Sequence, residues 1–184
     1  MNIPNVITLG RALLVPVVLW LMLKNRMQAA FVLFVIAGLS DAVDGYLAKR
    51  FHWETELGGY LDPLADKLLV ACVFIAMGWL GELPSWLVIA VVTRDVLIII
   101  AVLLAWLLVR PVRIKPFAVS KANTVAQLAL AATVLADTGF QLGLGGVRDV
   151  LVWLTAGLTV VSLGAYIRAW LRHMTGYESD KIAL

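Results

Sequence analysis

The sequence predicts an all-α integral membrane protein: six transmembrane helices packed as one bundle, in a single domain covering residues 1–184. Two features of composition and one of pattern carry that prediction. Hydrophobic residues make up 62% of the chain, against about 45–50% in soluble domains. Charged residues make up only 15%, where about 25% is usual, and the mean hydropathy is +0.94. The apolar residues also fall into six runs of spanning length, and six helices of ~20 residues leave no room for a large soluble domain.

The first span, 6–24, follows an amphipathic entry from Ile3 to Arg11 and ends at Lys24-Asn25-Arg26. Its short apolar run from Leu13 to Leu23 resembles a signal peptide, with Met27-Gln28-Ala29 as a weak cleavage site. Pro16 in mid-run and the immediate arrival of further spans favour a retained helix. The second span, 29–48, closes at Lys49-Arg50-Phe51-His52, and the third, 59–80, closes at Gly81-Glu82-Leu83-Pro84. The fourth, 84–109, ends in the basic stretch Arg110 to Pro116, and the fifth, 118–137, runs to the glycine-rich turn Gly139 to Gly146. The sixth, 147–172, leads to a short polar tail from Gly176 onward. Tryptophans such as Trp53, Trp79 and Trp86 stand at span ends, as an interfacial belt requires.

Basic residues fix the orientation. One set of span ends holds Lys49, Arg50, Arg110, Arg113, Lys115, Lys121, Arg168, Arg172 and Lys181, while the other holds Lys24, Arg26 and Arg148. Both termini and the 49–58 and 110–121 loops are therefore expected on the cytoplasmic side. The net charge of +3 suits an anionic lipid surface, and no basic tract is dense enough for nucleic acid. The single cysteine, Cys72, excludes an intrachain disulfide and reads as a packing residue.

Four aspartates carry the chemistry. Asp41, Asp44, Asp62 and Asp66 lie at the adjoining ends of spans two and three. A charged side chain at membrane depth costs at least ~2.5–3.5 kcal/mol, so four carboxylates demand compensation. Lys67 points off the Asp62/Asp66 stripe, and Lys49 and Arg50 stand at the boundary. Bound cations are the economical solution, and an oxygen-only ligand set favours Mg²⁺ or Mn²⁺ over zinc. Asp41 and Asp44 are i and i+3, Asp62 and Asp66 are i and i+4, so each pair shares a helix face. Gly45, Ala48 and Gly58 on the same stripes leave room for a bulky ligand. Together these residues make a place for a diphosphate at the membrane surface.

The run Asp41-Ala-Val-Asp44-Gly45-Tyr-Leu-Ala48-Lys49, followed at the right gaps by Gly58, Asp62 and Asp66, resembles the CDP-alcohol phosphotransferase signature D-x2-D-G-x2-A-R-x8-G-x3-D-x3-D. Lys49 stands where that family has arginine, keeping the charge but losing the bidentate fork. Asn5, Thr8 and Arg11 resemble the family's N-terminal N-x2-T-x2-R element. The stretches Thr93-Arg94-Asp95 and Arg113 to Thr124 look most like its cardiolipin synthases.

That resemblance implies a six-helix membrane fold of the CDP-alcohol phosphotransferase type and transfer from a CDP-linked donor to an acceptor hydroxyl, releasing CMP. It implies one metal on Asp41, Asp44 and Asp62, a second on Asp41, Asp62 and Asp66, and Asp66 as the base. Asn5, Thr8, Gly45, Ala48, Lys49, Thr55 and Gly58 are the implied nucleotide contacts. Arg94, Arg113, Lys115 and Lys121 are expected to receive the acceptor's phosphate. The implied donor is CDP-diacylglycerol and the first-choice acceptor phosphatidylglycerol, giving cardiolipin; glycerol 3-phosphate, giving phosphatidylglycerophosphate, is the alternative. The resemblance also implies a homodimer among membrane lipids, and the short form of the chain suggests a bacterial inner membrane.

Two further readings bear on these residues. Arg94 with Asp95, inside a span, also fits a purely structural ion pair. Intramembrane aspartates also mark cation transporters, but those place them near mid-membrane on broken helices. Metal-dependent CMP release separates transport from transfer.

Overall fold

In a computed structural model of the chain, the backbone is described for residues 3–51, 58–107 and 118–182, and side chains for residues 10, 13–40, 67–100 and 118–168. Six helices follow in order: α1 (Ile3–Leu23), α2 (Met27–Phe51), α3 (Gly58–Trp79), α4 (Ser85–Leu107), α5 (Ala118–Phe140) and α6 (Gly145–Ile182). Among the described residues there is no strand. Each helix falls on its predicted span: α2, α5 and α6 cover theirs in full, α1 and α3 stop one residue short, and α4 lies within the predicted 84–109. The largest departure is α6, which runs on to Ile182 through the segment expected as a polar tail. That segment contains no proline to stop it. α1 likewise passes unbroken through Pro16.

α5 and α6 each contain a stretch long and apolar enough to cross a membrane, Ala118–Phe140 and Gly145–Arg168. The stretches Leu13–Leu23, Met27–Ser40 and Lys67–Trp79 are apolar but shorter. Six full spans therefore remain an expectation from the sequence.

Three tight turns reverse the chain between α1 and α2, α3 and α4, and α5 and α6. Asn25 and Gly81 take left-handed backbone with φ of 57° and 77°. Arg26 N–H donates to the Leu21 carbonyl and Asn25 N–H to that of Met22, each at 2.9 Å. Glu82 and Gly81 repeat this at Met77 and Gly78. These are paired bonds that satisfy the last carbonyls of a helix. Gln141, at φ 54°, closes α5 through one bond to the Asp137 carbonyl, whose side chain accepts from Leu144 N–H at 2.8 Å.

Contacts between elements bring these turns to one end of the bundle. Arg148 of α6 donates to Glu82 at 3.2 Å. Trp86 and Trp153 pair at 5.6 Å, and Phe31 meets Phe140 edge-on at 5.8 Å. A Cβ on Gly139 would lie 2.9 Å from the Gln28 amide nitrogen, so α5 and α2 cross there backbone to backbone. The buried core repeats at helical spacing: Met27, Ala30, Phe34 and Ala37 on α2, and Val70, Val73, Phe74 and Met77 on α3. Outward faces carry Val17, Trp20, Trp79, Ile89 and Val160, as lipid contact requires.

Candidate active site

The opposite half of the bundle holds those predicted site residues that lie on the helices. Asp41 and Asp44 fall in the continuous helical backbone of α2, and Asp62 and Asp66 in the first turns of α3. The i, i+3 and i, i+4 spacings therefore lie on real helices, which puts each pair on one face. The side chains of these four, and of Asn5, Thr8, Gly45, Ala48, Lys49 and Gly58, lie outside the described residues, as do Thr55, Arg113 and Lys115 entirely. Among the described residues no three histidine, cysteine or acidic side chains gather as a metal site.

What the described side chains build beside this region is a charged cluster around Arg94. Its side chain is 1% exposed. One terminal nitrogen donates to Asp95 Oδ1 at 2.5 Å. The other donates to Ser120 Oγ of α5 at 2.7 Å and to Ser162 Oγ of α6 at 2.6 Å. The guanidinium carbon stands 5.8 Å from the centre of the Tyr166 ring, within cation–π range. Tyr166 Oη donates onward to Ser120 Oγ at 3.4 Å. Lys67 of α3, the residue after Asp66, places its ammonium 3.6 Å from the same Asp95 oxygen. The ion pair between Arg94 and Asp95 thus forms, and α4 is tied through it to α3, α5 and α6.

Below the cluster a polar seam runs between α5 and α6. These helices are antiparallel, and the register set by Asn123 with Thr159 places Ser120 level with Ser162, which share Arg94, and Gln127 level with Thr155. Thr159 Oγ1 donates to Asn123 Oδ1 at 3.1 Å. Asn123, Gln127, Thr155, Thr159 and Ser162 are all buried. Sequence reading assigned nothing to Thr155, Thr159, Ser162 or Tyr166. Their i, i+4, i+7, i+11 spacing along an apolar span is the signal that finds them.

The cluster differs from an open headgroup pocket. Both terminal nitrogens of Arg94 are engaged within the protein, and only its Nε is without a hydrogen-bond partner among the described residues. Lys121, one residue beyond Ser120, is exposed. Arg94 therefore acts through its charge and through the side chains it holds, while Lys121 is open to direct contact. Buried ion pairs seldom add net stability, because desolvation offsets their attraction. Their effect is to fix geometry, here of four helices at the end where the aspartates lie.

The family model for CDP-alcohol phosphatidyltransferase matches residues 1–161. A chloroplastic CDP-diacylglycerol–glycerol-3-phosphate 3-phosphatidyltransferase of Oryza sativa subsp. japonica is 34% identical, over 90% of this chain and 56% of its own. A cardiolipin synthase (CMP-forming) of Rattus norvegicus is 32% identical over 90% of this chain and 60% of its own. A CDP-diacylglycerol–glycerol-3-phosphate 3-phosphatidyltransferase of Rickettsia bellii is 33% identical over 91% of this chain and 94% of its own. The chain thus spans little more than half of the plant and animal relatives, but nearly all of the bacterial one.

Proposed function

The chain belongs to the CDP-alcohol phosphatidyltransferase family, and from that premise we propose that it transfers a phosphatidyl group from CDP-diacylglycerol to the hydroxyl of glycerol 3-phosphate. The products are phosphatidylglycerophosphate and CMP. The carrying observation is coverage: the bacterial relative matched over 94% of its length bears the glycerol-3-phosphate name. This reverses the order of acceptors expected from the sequence, where the short segment Arg113 to Thr124 put phosphatidylglycerol first. A second reading, phosphatidylglycerol as acceptor and cardiolipin as product, rests on that segment and on the rat relative.

The four carboxylates suit divalent cations, since their donors are all oxygen and their pairs share helix faces. Asp41, Asp44 and Asp62 would hold one Mg²⁺ or Mn²⁺, and Asp41, Asp62 and Asp66 the second. When bound, such a pair neutralises the donor's diphosphate and the charge that develops on departing CMP. Asp66 takes the proton from the acceptor hydroxyl as its oxygen bonds to the phosphatidyl phosphorus and the bond from that phosphorus to CMP breaks. Asn5, Thr8, Gly45, Ala48, Lys49, Thr55 and Gly58 hold the nucleotide. Lys121, Arg113 and Lys115 draw the acceptor's phosphate, with Arg94 adding its charge from inside the bundle. The excess of basic residues at these span ends supports an active site facing the cytoplasm, in a bacterial inner membrane, and the reading includes a homodimer.

The test offers purified full-length protein both acceptors together with CDP-diacylglycerol and follows the lipid product. Phosphatidylglycerophosphate is expected. Cardiolipin alone would overturn the acceptor and promote the second reading.

A further inference from the structure

Lys67, Asp95 and Arg94 form a group with one carboxylate for two cations, and both cations use the same oxygen, Asp95 Oδ1. Arg94 has only its neighbour Asp95 as an acid partner on α4, and Lys67 has no acid three or four residues away on α3. Positions three and four residues either side of Lys67 are Pro63, Leu64, Val70 and Ala71, and those around Arg94 are Ala90, Val91, Leu97 and Ile98. Taken by themselves, these three described side chains carry one net positive charge, with Asp95 and Arg94 almost wholly enclosed and Lys67 29% exposed.

The two contacts differ in kind. Arg94 makes a short hydrogen bond to Asp95 and is held besides by Ser120, Ser162 and the Tyr166 ring. Lys67 stands at 3.6 Å, beyond hydrogen-bond length, and is held by charge. An ammonium on a four-carbon stem has no preferred place without such a partner. Resting on the function proposed above, we propose that Asp95 is a positioning residue for acceptor capture. It fixes the Lys67 ammonium one residue beyond Asp66, where that charge attracts the phosphate of the acceptor.

Asp95→Asn separates the two contacts, because an amide oxygen still accepts from Arg94 but no longer holds Lys67 by charge. We expect it to raise the KM for the phosphate-bearing acceptor about fivefold to tenfold while kcat stays within about twofold. Lys67→Met should do the same, Lys67→Arg should keep the wild-type KM, and Asp95→Glu should restore most of it. The double variant Asp95→Asn/Lys67→Met should be no worse than Lys67→Met alone, because the first acts through the second. Glycerol 3-phosphate and phosphatidylglycerol are titrated in separate arms, and the arm in which KM moves identifies the source of the phosphate. A KM unchanged by Lys67→Met, or losses that multiply in the double variant, overturns the proposal even if Asp95→Asn fails to fold. Wild-type protein inactive with both acceptors overturns the function reading and this inference together, whereas active wild type with a flat KM series overturns the inference alone.

Discussion

Arg94 of α4 and Ser162 of α6 are joined by a 2.6 Å hydrogen bond across 68 residues of sequence, and both side chains are buried. The same terminal nitrogen reaches Ser120 of α5, so a single planar cation sets the spacing of three helices. Lysine cannot copy this, since its ammonium lacks the rigid fork that serves Asp95 and both hydroxyls at once. Arg94→Lys keeps the charge but loses the bonds to Ser120 and Ser162, and should cost about 1–3 kcal/mol. Thermal unfolding in detergent checks this; a midpoint within a degree or two of wild type would show that the cluster does not hold the helices.

Thr159→Val should cost about 0.5–2 kcal/mol, because it leaves Asn123 Oδ1 buried without its donor. Thr155→Val, at a hydroxyl with no hydrogen-bond partner among the described residues, should cost less or stabilise. The order of the two unfolding midpoints is the readout.

Gly139→Ala should destabilise by about 1–3 kcal/mol, the range for overpacking. Its Cβ would stand 2.9 Å from Gln28 N and 3.1 Å from the Met27 carbonyl carbon, both backbone atoms that move only with α2 itself. Gly157→Ala is the matched control: nothing lies within 4 Å of that Cβ, and alanine favours a helix interior by up to ~1 kcal/mol. Equal midpoints for the two variants would contradict the close crossing of α2 and α5.

Much of this was legible in the sequence, and the exceptions have physical causes. The six helices follow from apolar runs, and Asn25 and Gly81 mark reversals because those residue types tolerate left-handed backbone. The displacement of Lys67 from the Asp62/Asp66 stripe is a matter of helical phase and could be read directly. Its partner could not, because Asp95 lies on another helix and only packing brings them together. The readings of Arg94 and Asp95 stayed open for the same reason. The α5–α6 seam was missed because serine and threonine barely disturb an apolar run, and their shared face emerges only when both helices are laid in register. The order of acceptors rested on a short segment, and the length of relative covered carries more weight than a dozen residues.

Asp66→Asn should reduce turnover by about 10²–10⁴-fold, the range for loss of a general base, while nucleotide binding largely persists. Asp41→Asn should impair binding and turnover together, since Asp41 is assigned to both cations. Binding of CDP measured beside turnover separates the two; Asp66→Asn retaining more than about a tenth of wild-type turnover would remove the base assignment.

The most direct measurement is CMP release from CDP-diacylglycerol by the purified full-length chain, with and without glycerol 3-phosphate, in Mg²⁺ and then in excess chelator. The account predicts release that needs both acceptor and metal, with one phosphatidylglycerophosphate formed for each CMP. CMP released at full rate in chelator, or no CMP released with any acceptor hydroxyl, would contradict it.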